Sequence, residues 1–471
     1  MKTINITKLT TTGFDKDFNS INSIQIDDKP FAEGGFGRIY HCKKLNNKKF
    51  ANPQVIKIFK DNGQGSAAHS YKTISCLQIK LIEKKEELEL LNVDFLEYYP
   101  AFFGAPQFVF EGELEGETVQ GYSANNLIHF GYICFSDIIN NSDNRDKYLQ
   151  IPIEFVYAKA YHLSRAFSLL NEFSYIHADF KTDNFFVSLN EDAKCALIDF
   201  DSGAIIENLG DDTYTWGTPQ DMLAPEIFEQ LSHNEMVMVN LFSDMWSVAI
   251  ANHYLLFTLH PLFYLNQITR NSVSEYNANF DWPLVDKQSA LFKDDEDNSF
   301  IYDWYYSKII ELPKDIFESF KVTVTKGYNE KELRTTYNQW AIKLESLVPL
   351  EEKKFSLSKI KRRKEREENP EPDQPEFIIT EEQYPEFISD LVLSLIEKRA
   401  FLYEYREKLE MISIQLNKQS LYDKIDKLIL TYYEIIADGI INNIERNKFS
   451  YSAKSIGVKA SVTDEILNKP L

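Results

Sequence analysis

The chain is poor in cysteine. Cys42, Cys76, Cys134 and Cys195 are its only four in 471 residues, and no two stand at metal-ligand spacing, so neither a zinc site nor a disulfide framework is expected. The eight histidines form no ligand constellation either. No apolar run is long enough to cross a bilayer, which argues against a membrane role. The opening Met1-Lys2-Thr3-Ile4-Asn5 is too polar for a signal peptide, so a cytoplasmic location is expected. Basic residues are outnumbered, 51 Lys and Arg against 72 Asp and Glu, and the resulting net charge of −21 would repel a nucleic-acid backbone. A hydrophobic content of 44% and an aromatic content of 14% suffice for a core in each of two domains.

The densest chemistry lies in Ile176-His177-Ala178-Asp179-Phe180-Lys181-Thr182-Asp183-Asn184, followed by Asp199-Phe200-Asp201. Asp179 suits a proton acceptor and Lys181 a fixed positive charge against a transferred phosphoryl group. Asn184 and Asp199 suit oxygen ligands for magnesium. Moving a phosphate from ATP requires this set. Phe185-Phe186-Val187 and Ala196-Leu197-Ile198 flank a polar turn and read as two paired strands. His177 reads as a packing and hydrogen-bonding support of the loop rather than as a base.

Ala32-Glu33-Gly34-Gly35-Phe36-Gly37-Arg38-Ile39-Tyr40 is a second chemical segment. Bare backbone at Gly34 and Gly37 lets such a loop fold over a triphosphate and offer it amides. Strand-like patterns at 23–26 and 38–42 flank it, and Gln54-Val55-Ile56-Lys57-Ile58-Phe59 reads as a third strand carrying one lysine. A helix is expected over 73–91, with Glu83, Glu86, Glu87 and Glu89 on it. Thr118-Val119-Gln120-Gly121-Tyr122 reads as a further strand.

Downstream stand Gly217-Thr218-Pro219, Ala224-Pro225-Glu226, Asp244-Met245-Trp246-Ser247 and Arg334-Thr335. In this order, over residues 21–350, the motifs resemble the eukaryotic-like serine/threonine protein kinases of bacteria. The resemblance implies an α+β, bilobal kinase fold, with a small antiparallel-sheet lobe, a larger helical lobe, and ATP with Mg2+ between them. It implies nucleotide-binding roles for Ala32, Gly34, Gly37, Ile39 and Lys57, for Tyr122 and Ser123 in a hinge over 122–125, and for Glu87 as the helical partner of Lys57. Leu90 and Leu91 follow Glu87 at core-facing spacing. It also implies catalytic roles for Asp179 and Lys181, metal ligands at Asn184 and Asp199, a buried Glu226–Arg334 ion pair, and a protein substrate.

Three positions depart from that pattern. Ala178 replaces an arginine that grips a phosphorylated activation loop, which implies independence from phosphorylation at Thr213, Tyr214 or Thr215. Asp201 stands in place of glycine, and Ala32 in place of the first loop glycine. These changes keep a pseudokinase scaffold open as an alternative. A small-molecule kinase is a third class, opposed by the Ala-Pro-Glu segment and Arg334.

The basic run Lys359-Ile360-Lys361-Arg362-Arg363-Lys364 passes into acidic and proline-rich sequence, so residues 351–380 read as a solvated linker. Residues 381–471 are helical in pattern, and an all-α C-terminal domain is expected there. Ala437-Asp438-Gly439, Glu445-Arg446 and Ile456-Gly457-Val458 resemble the TerB-like family of tellurite-resistance and stress systems, which implies stress-system partners. Asp438 and Glu445 could hold a divalent cation, or serve as an N-cap and a solvated helical glutamate.

Overall fold

Short runs of alternating apolar residues at the start of the chain form strands whose pairings close on themselves. The computed structural model describes residues 1–9, 18, 20–49, 53–60, 67–206, 213–214, 222–233, 237–294, 296–349, 352, 380–397, 405, 409, 412–413, 416, 418, 421–436 and 441–468. Seven strands make the main sheet: β1 (Lys2–Leu9), β2 (Ser23–Ile26), β3 (Ala32–Glu33), β4 (Gly37–Leu45), β5 (Gln54–Phe59), β6 (Pro106–Leu114) and β7 (Glu117–Asn125). Their order is β2-β1-β6-β7-β5-β4-β3, and β2 also pairs with β4, so six strands form an antiparallel ring. Ile24 and Ile26, Ile56 and Ile58, and Phe108 and Phe110 sit two residues apart and share one buried cluster with Ile4 and Tyr40. Closing the ring pairs edges that would otherwise be open to other chains. The expected domain start at residue 21 is thereby corrected, because β1 pairs with both β2 and β6.

A long helix, α1 (Ala67–Leu90), accompanies the sheet, and it begins earlier than the expected 73. Ile74, Leu77, Leu81 and Leu88 recur at helical spacing and are buried, whereas Glu83, Glu86, Glu87 and Glu89 are exposed. The α1 core residues belong to one large cluster with Tyr122 of β7 and with the helical region that follows. At the centre of that region α2 (Ile153–Glu172) is buried on almost every face from Val156 to Asn171, the polar Lys159, His162 and Arg165 included. Beside it lies α3 (Leu241–Phe257), which starts at a capping box of Asn240 with Ser243 and stops at Thr258, whose φ is 56°. Helix α4 (Tyr337–Glu345) also packs on α2.

Between these elements run the short strands β8 (Tyr132–Cys134), β9 (Tyr175–Ile176), β10 (Phe185–Ser188), β11 (Cys195–Leu197) and β12 (Ala204–Ile205). The expected hairpin is β10 with β11, Phe185 facing Leu197, and β8 adds a third strand. Strand β12 pairs with β9.

Near the C-terminal end, α5 (Tyr384–Glu397), α6 (Leu421–Ile435), α7 (Asn443–Ser455) and α8 (Ala460–Asn468) share their own core, which includes Ile388, Leu391, Leu395, Ile425, Leu428 and Phe449. Gly457 turns the chain at φ 96°, where an added Cβ would meet the Tyr384 ring at 2.7 Å, and Tyr384 Oη donates to Ile456 O at 2.6 Å. Glu445 is engaged in a capping box: its backbone N donates to Asn442 Oδ1 at 3.1 Å, and its carboxylate accepts from Asn442 N at 3.1 Å. Asp438, Gly439, Thr215, Gly217, Thr218, Pro219 and nearly all of the expected linker lie outside the described residues. Among the described residues, no helix is long and apolar enough to cross a membrane.

Candidate active site

Buried Asp244, in the first turn of α3, organises the central loop. Its carboxylate accepts from His177 N at 2.6 Å and Ala178 N at 3.2 Å, satisfying two backbone donors that leave β9 with no strand partner. Burial pushes the Asp244 carboxyl up to about 7, although those two N–H groups pull it down. Both donors can converge because Ala178 takes a left-handed backbone, φ 64°. His177 Nε2 lies 3.0 Å from Ile198 O, and its ring packs against Phe180 and Phe200. Burial lowers the imidazole to about 4, so it is neutral at pH 7 and supports the loop by packing.

Asp179 is 3% exposed. Lys181 Nζ donates to its two carboxylate oxygens at 3.1 and 3.0 Å, and Asn184 Nδ2 donates to Asp179 O at 2.7 Å and Oδ2 at 3.2 Å. Burial raises the Asp179 carboxyl above its ordinary range, with Lys181 opposing. The loop thus presents a carboxylate of enhanced basicity with a cation held against it.

Asp199 follows β11 in a left-handed conformation, φ 63°. The next residue, Phe200, stacks on Phe102 at 6.1 Å, and Tyr175 Oη donates to Phe200 O. An added Cβ at Gly203 would collide with the Tyr175 hydroxyl, so the segment fits only with glycine there. These contacts aim Asp199 and Asp201 at Lys57. Lys57 Nζ donates to Asp201 Oδ1 at 2.6 Å and also to Asp199 Oδ1. Burial disfavours the ammonium, but the two carboxylates prevail and hold its pKa well above the usual lysine range. Burial also pushes Asp199 up, yet Lys57 outweighs it and Asp199 stays ionised; Asp201, buried beside Asp199, is raised.

On the sheet side, Ala32 pairs with Ile39 across the β3–β4 hairpin, and Gly34 N donates to Gly37 O at 3.0 Å. A Cβ at Gly37 would lie 2.7 Å from Ile58 O, so β4 can cross β5 only with glycine there. Gly34 borders open space, so nothing in the surrounding packing demands glycine at that position. Lys57 stands opposite both Ile39 and Tyr122.

Two expectations need correction. Glu87 does not reach Lys57: it is exposed and pairs with Lys84 at 3.2 Å, because α1 turns that face to solvent. The buried face has no acid to offer, since residues 67–82 contain neither Asp nor Glu. Tyr122 and Ser123 are not in a connection, because β7 continues to Asn125. Tyr122 is buried against Phe59, and Ser123 Oγ donates to Gln54 Oε1 at 3.0 Å.

Residues 134–311 match the family model for the protein kinase domain. Over that span the chain is similar to protein kinase domains. No curated protein matches the chain. The match takes in Asp179, Lys181, Asn184, Asp199, Glu226 and Asp244, and leaves the glycine segment, Lys57 and Arg334 outside it. A kinase domain implies ATP as phosphoryl donor and a protein as acceptor. Below the loop, Arg334 Nη1 and Nη2 donate to the Glu226 carboxylate at 2.9 and 2.7 Å, Nη1 also to Phe242 O and Nε to Gly327 O. Burial alone would raise the Glu226 carboxyl; Arg334 prevails and holds it low.

The donor set fits a hard divalent cation. Asn184 commits its amide nitrogen to Asp179, which leaves Oδ1 as an acceptor, and Asp199 is ionised. Among the described residues no cluster of three or more His, Cys, Asp or Glu could hold a metal unaided, so nucleotide phosphates and water would complete the shell. Sequence reasoning missed Asp201 as the partner of Lys57. The acid-free stretch of α1 was the signal that could have found it.

Proposed function

We propose that this chain is an ATP-dependent serine/threonine protein kinase of a bacterial stress or defence system, with a TerB-like C-terminal helical region recruiting partners. One observation carries the phosphoryl-transfer reading: Asp179, buried and bonded by Lys181 and Asn184, sits in a loop tied to Asp244. In this reading Asp179 orients the acceptor hydroxyl and takes its proton, a task its raised pKa favours. Lys181 opposes the charge developing on the transferred group. Lys57 holds the α- and β-phosphates. Asn184 and Asp199 would hold Mg2+, which neutralises phosphate oxygens when bound. The bidentate Glu226–Arg334 pair supports a protein rather than a small-molecule acceptor, because it braces the Ala-Pro-Glu segment that borders a protein-substrate site in the resembled family.

A second reading, a nucleotide-binding scaffold without turnover, is favoured by the engagement of Lys57 with two carboxylates. Incubation with γ-labelled ATP, magnesium and a generic protein substrate separates the two. The wild type is expected to label serine or threonine, and Asp179→Asn to cut the rate by about 10²- to 10⁴-fold. Equal labelling by both proteins would favour the scaffold, and label on tyrosine alone would refute the serine/threonine assignment.

A further inference from the structure

Lys57 is 6% exposed, so its ammonium needs a fixed counter-charge to stay protonated and pointed in one direction. Helix α1 supplies none over residues 67–82, and its first glutamates face solvent. Asp199 touches Lys57, but its oxygens are also the ones suited to a divalent cation, and one carboxylate serves both tasks poorly. Asp201 lies deeper than Asp199, 0% against 23% exposed, and is the less accessible of the two to a cation arriving with the nucleotide. Its side chain is fully buried, with Oδ1 2.6 Å from Lys57 Nζ. Its backbone is fixed on both sides: Ser70 Oγ of α1 donates to Asp201 O at 3.4 Å, and Tyr175 Oη donates to the preceding Phe200 O.

We propose that Asp201 is the positioning residue for Lys57, holding the lysine toward the nucleotide phosphates and leaving Asp199 to the cation. The inference rests on the kinase reading of the site. It has a mechanical consequence. A carboxylate on a helix makes lysine alignment depend on where that helix sits, whereas Asp201 is joined to the metal-ligand segment two residues after Asp199. Lysine and metal ligand are then aligned together by one short turn, and displacing α1 would break the Ser70 contact to Asp201 O without carrying the carboxylate away from Lys57.

The test is ATP affinity of the full chain, read by titration of a fluorescent ATP analogue with magnesium and again with EDTA, for wild type, Asp201→Asn and Asp201→Gly. Asp201→Asn keeps the shape and deletes the charge; Asp201→Gly supplies the residue that the resembled family carries there. Each variant that folds, judged by a cooperative melt, is expected to lose about tenfold in ATP affinity, the order expected for a charge-assisted hydrogen bond. The loss should appear with and without magnesium, and KM for ATP should rise while KM for the protein substrate holds. A merely structural role would move both KM values. A pure field effect would act in the opposite sense, since removing a negative charge beside the phosphates tightens binding. Unchanged or tighter ATP binding by a folded variant overturns the proposal, with tighter binding marking Asp201 as a plug on Lys57. A wild type that binds no ATP would defeat the kinase reading itself; a wild type that binds alongside an equally tight variant defeats only this inference.

Discussion

The loop side of the site and the sheet side are built by different rules. On the loop side, Asp179, Lys181 and Asn184 lie within six residues of one another and are bonded directly, with Asp244 beneath them. On the sheet side, Lys57 is a lone cation in a strand, and its partners come from far along the chain, at Asp199 and Asp201. A local site can be read from spacing. A site assembled across the fold depends on which helix face turns inward, and here the inward face of α1 carries no acid.

The largest expected effect tests how firmly the loop side is braced from below. Arg334→Met leaves the partly buried Glu226 carboxylate with only the Ser243 hydroxyl, and Phe242 O and Gly327 O without their donor, and is expected to cost about 3 kcal/mol, measured by urea denaturation. A cost under about 1 kcal/mol would mean that the brace is dispensable. Asp244→Ala comes next, at about 2 kcal/mol or more at neutral pH, because two backbone N–H groups lose their acceptor. Its cost carries a pH signature. A carboxyl raised from 3.8 to about 7 stabilises the folded state fully below 3.8, and that contribution is lost as pH rises through 7. The stability gap between wild type and Asp244→Ala should therefore narrow from pH 4 to pH 8.

His253 provides the opposite sign in the same helix. It bonds Leu259 O at 2.7 Å and Tyr305 Oη at 2.8 Å, and burial lowers its pKa to about 3. Its contribution is whole above 6.5 and is lost as pH falls toward 3, so the gap between wild type and His253→Gln should narrow on acidification. Melting curves at pH 7, 5.5 and 4.5 check this; a gap that widens toward acid would refute the neutral buried imidazole. The smallest effect belongs to the sheet side. Glu87→Gln should leave KM for ATP within about twofold, because an exposed pair with Lys84 contributes little. A large rise in KM would restore the helical glutamate and break the contrast between the two sides.

The same contrast explains what the sequence could tell. The proximity of Asp179, Lys181 and Asn184 was legible because their spacing is fixed by one loop, and β10 and β11 were legible because Phe185-Phe186-Val187 and Ala196-Leu197-Ile198 flank a polar turn. The strand at Lys57 was legible from its apolar neighbours. The strand β1 was not: it pairs with β2 and β6, and Ile4 is its only fully buried side chain, so its pattern is weak. Tyr122 and Ser123 were misplaced because nothing in the local sequence says that β7 runs on to Asn125; that follows from its pairing with β5 and β6. Glu87 was misassigned because four glutamates crowd the second half of α1, and only packing decides which face is buried.

The central claim is that the two sides act on one bound nucleotide. It is tested most directly by thermal melting of the full chain with and without saturating ATP and magnesium, for wild type, Lys57→Met and Asp199→Ala. A ligand at 100 times its Kd stabilises a folded protein by about 2.7 kcal/mol, so the wild-type melting temperature should rise clearly. Lys57→Met and Asp199→Ala should each lose most of that rise, whatever their own melting temperatures. A wild type that ATP does not stabilise, or a Lys57→Met variant stabilised as much as the wild type, would contradict the claim.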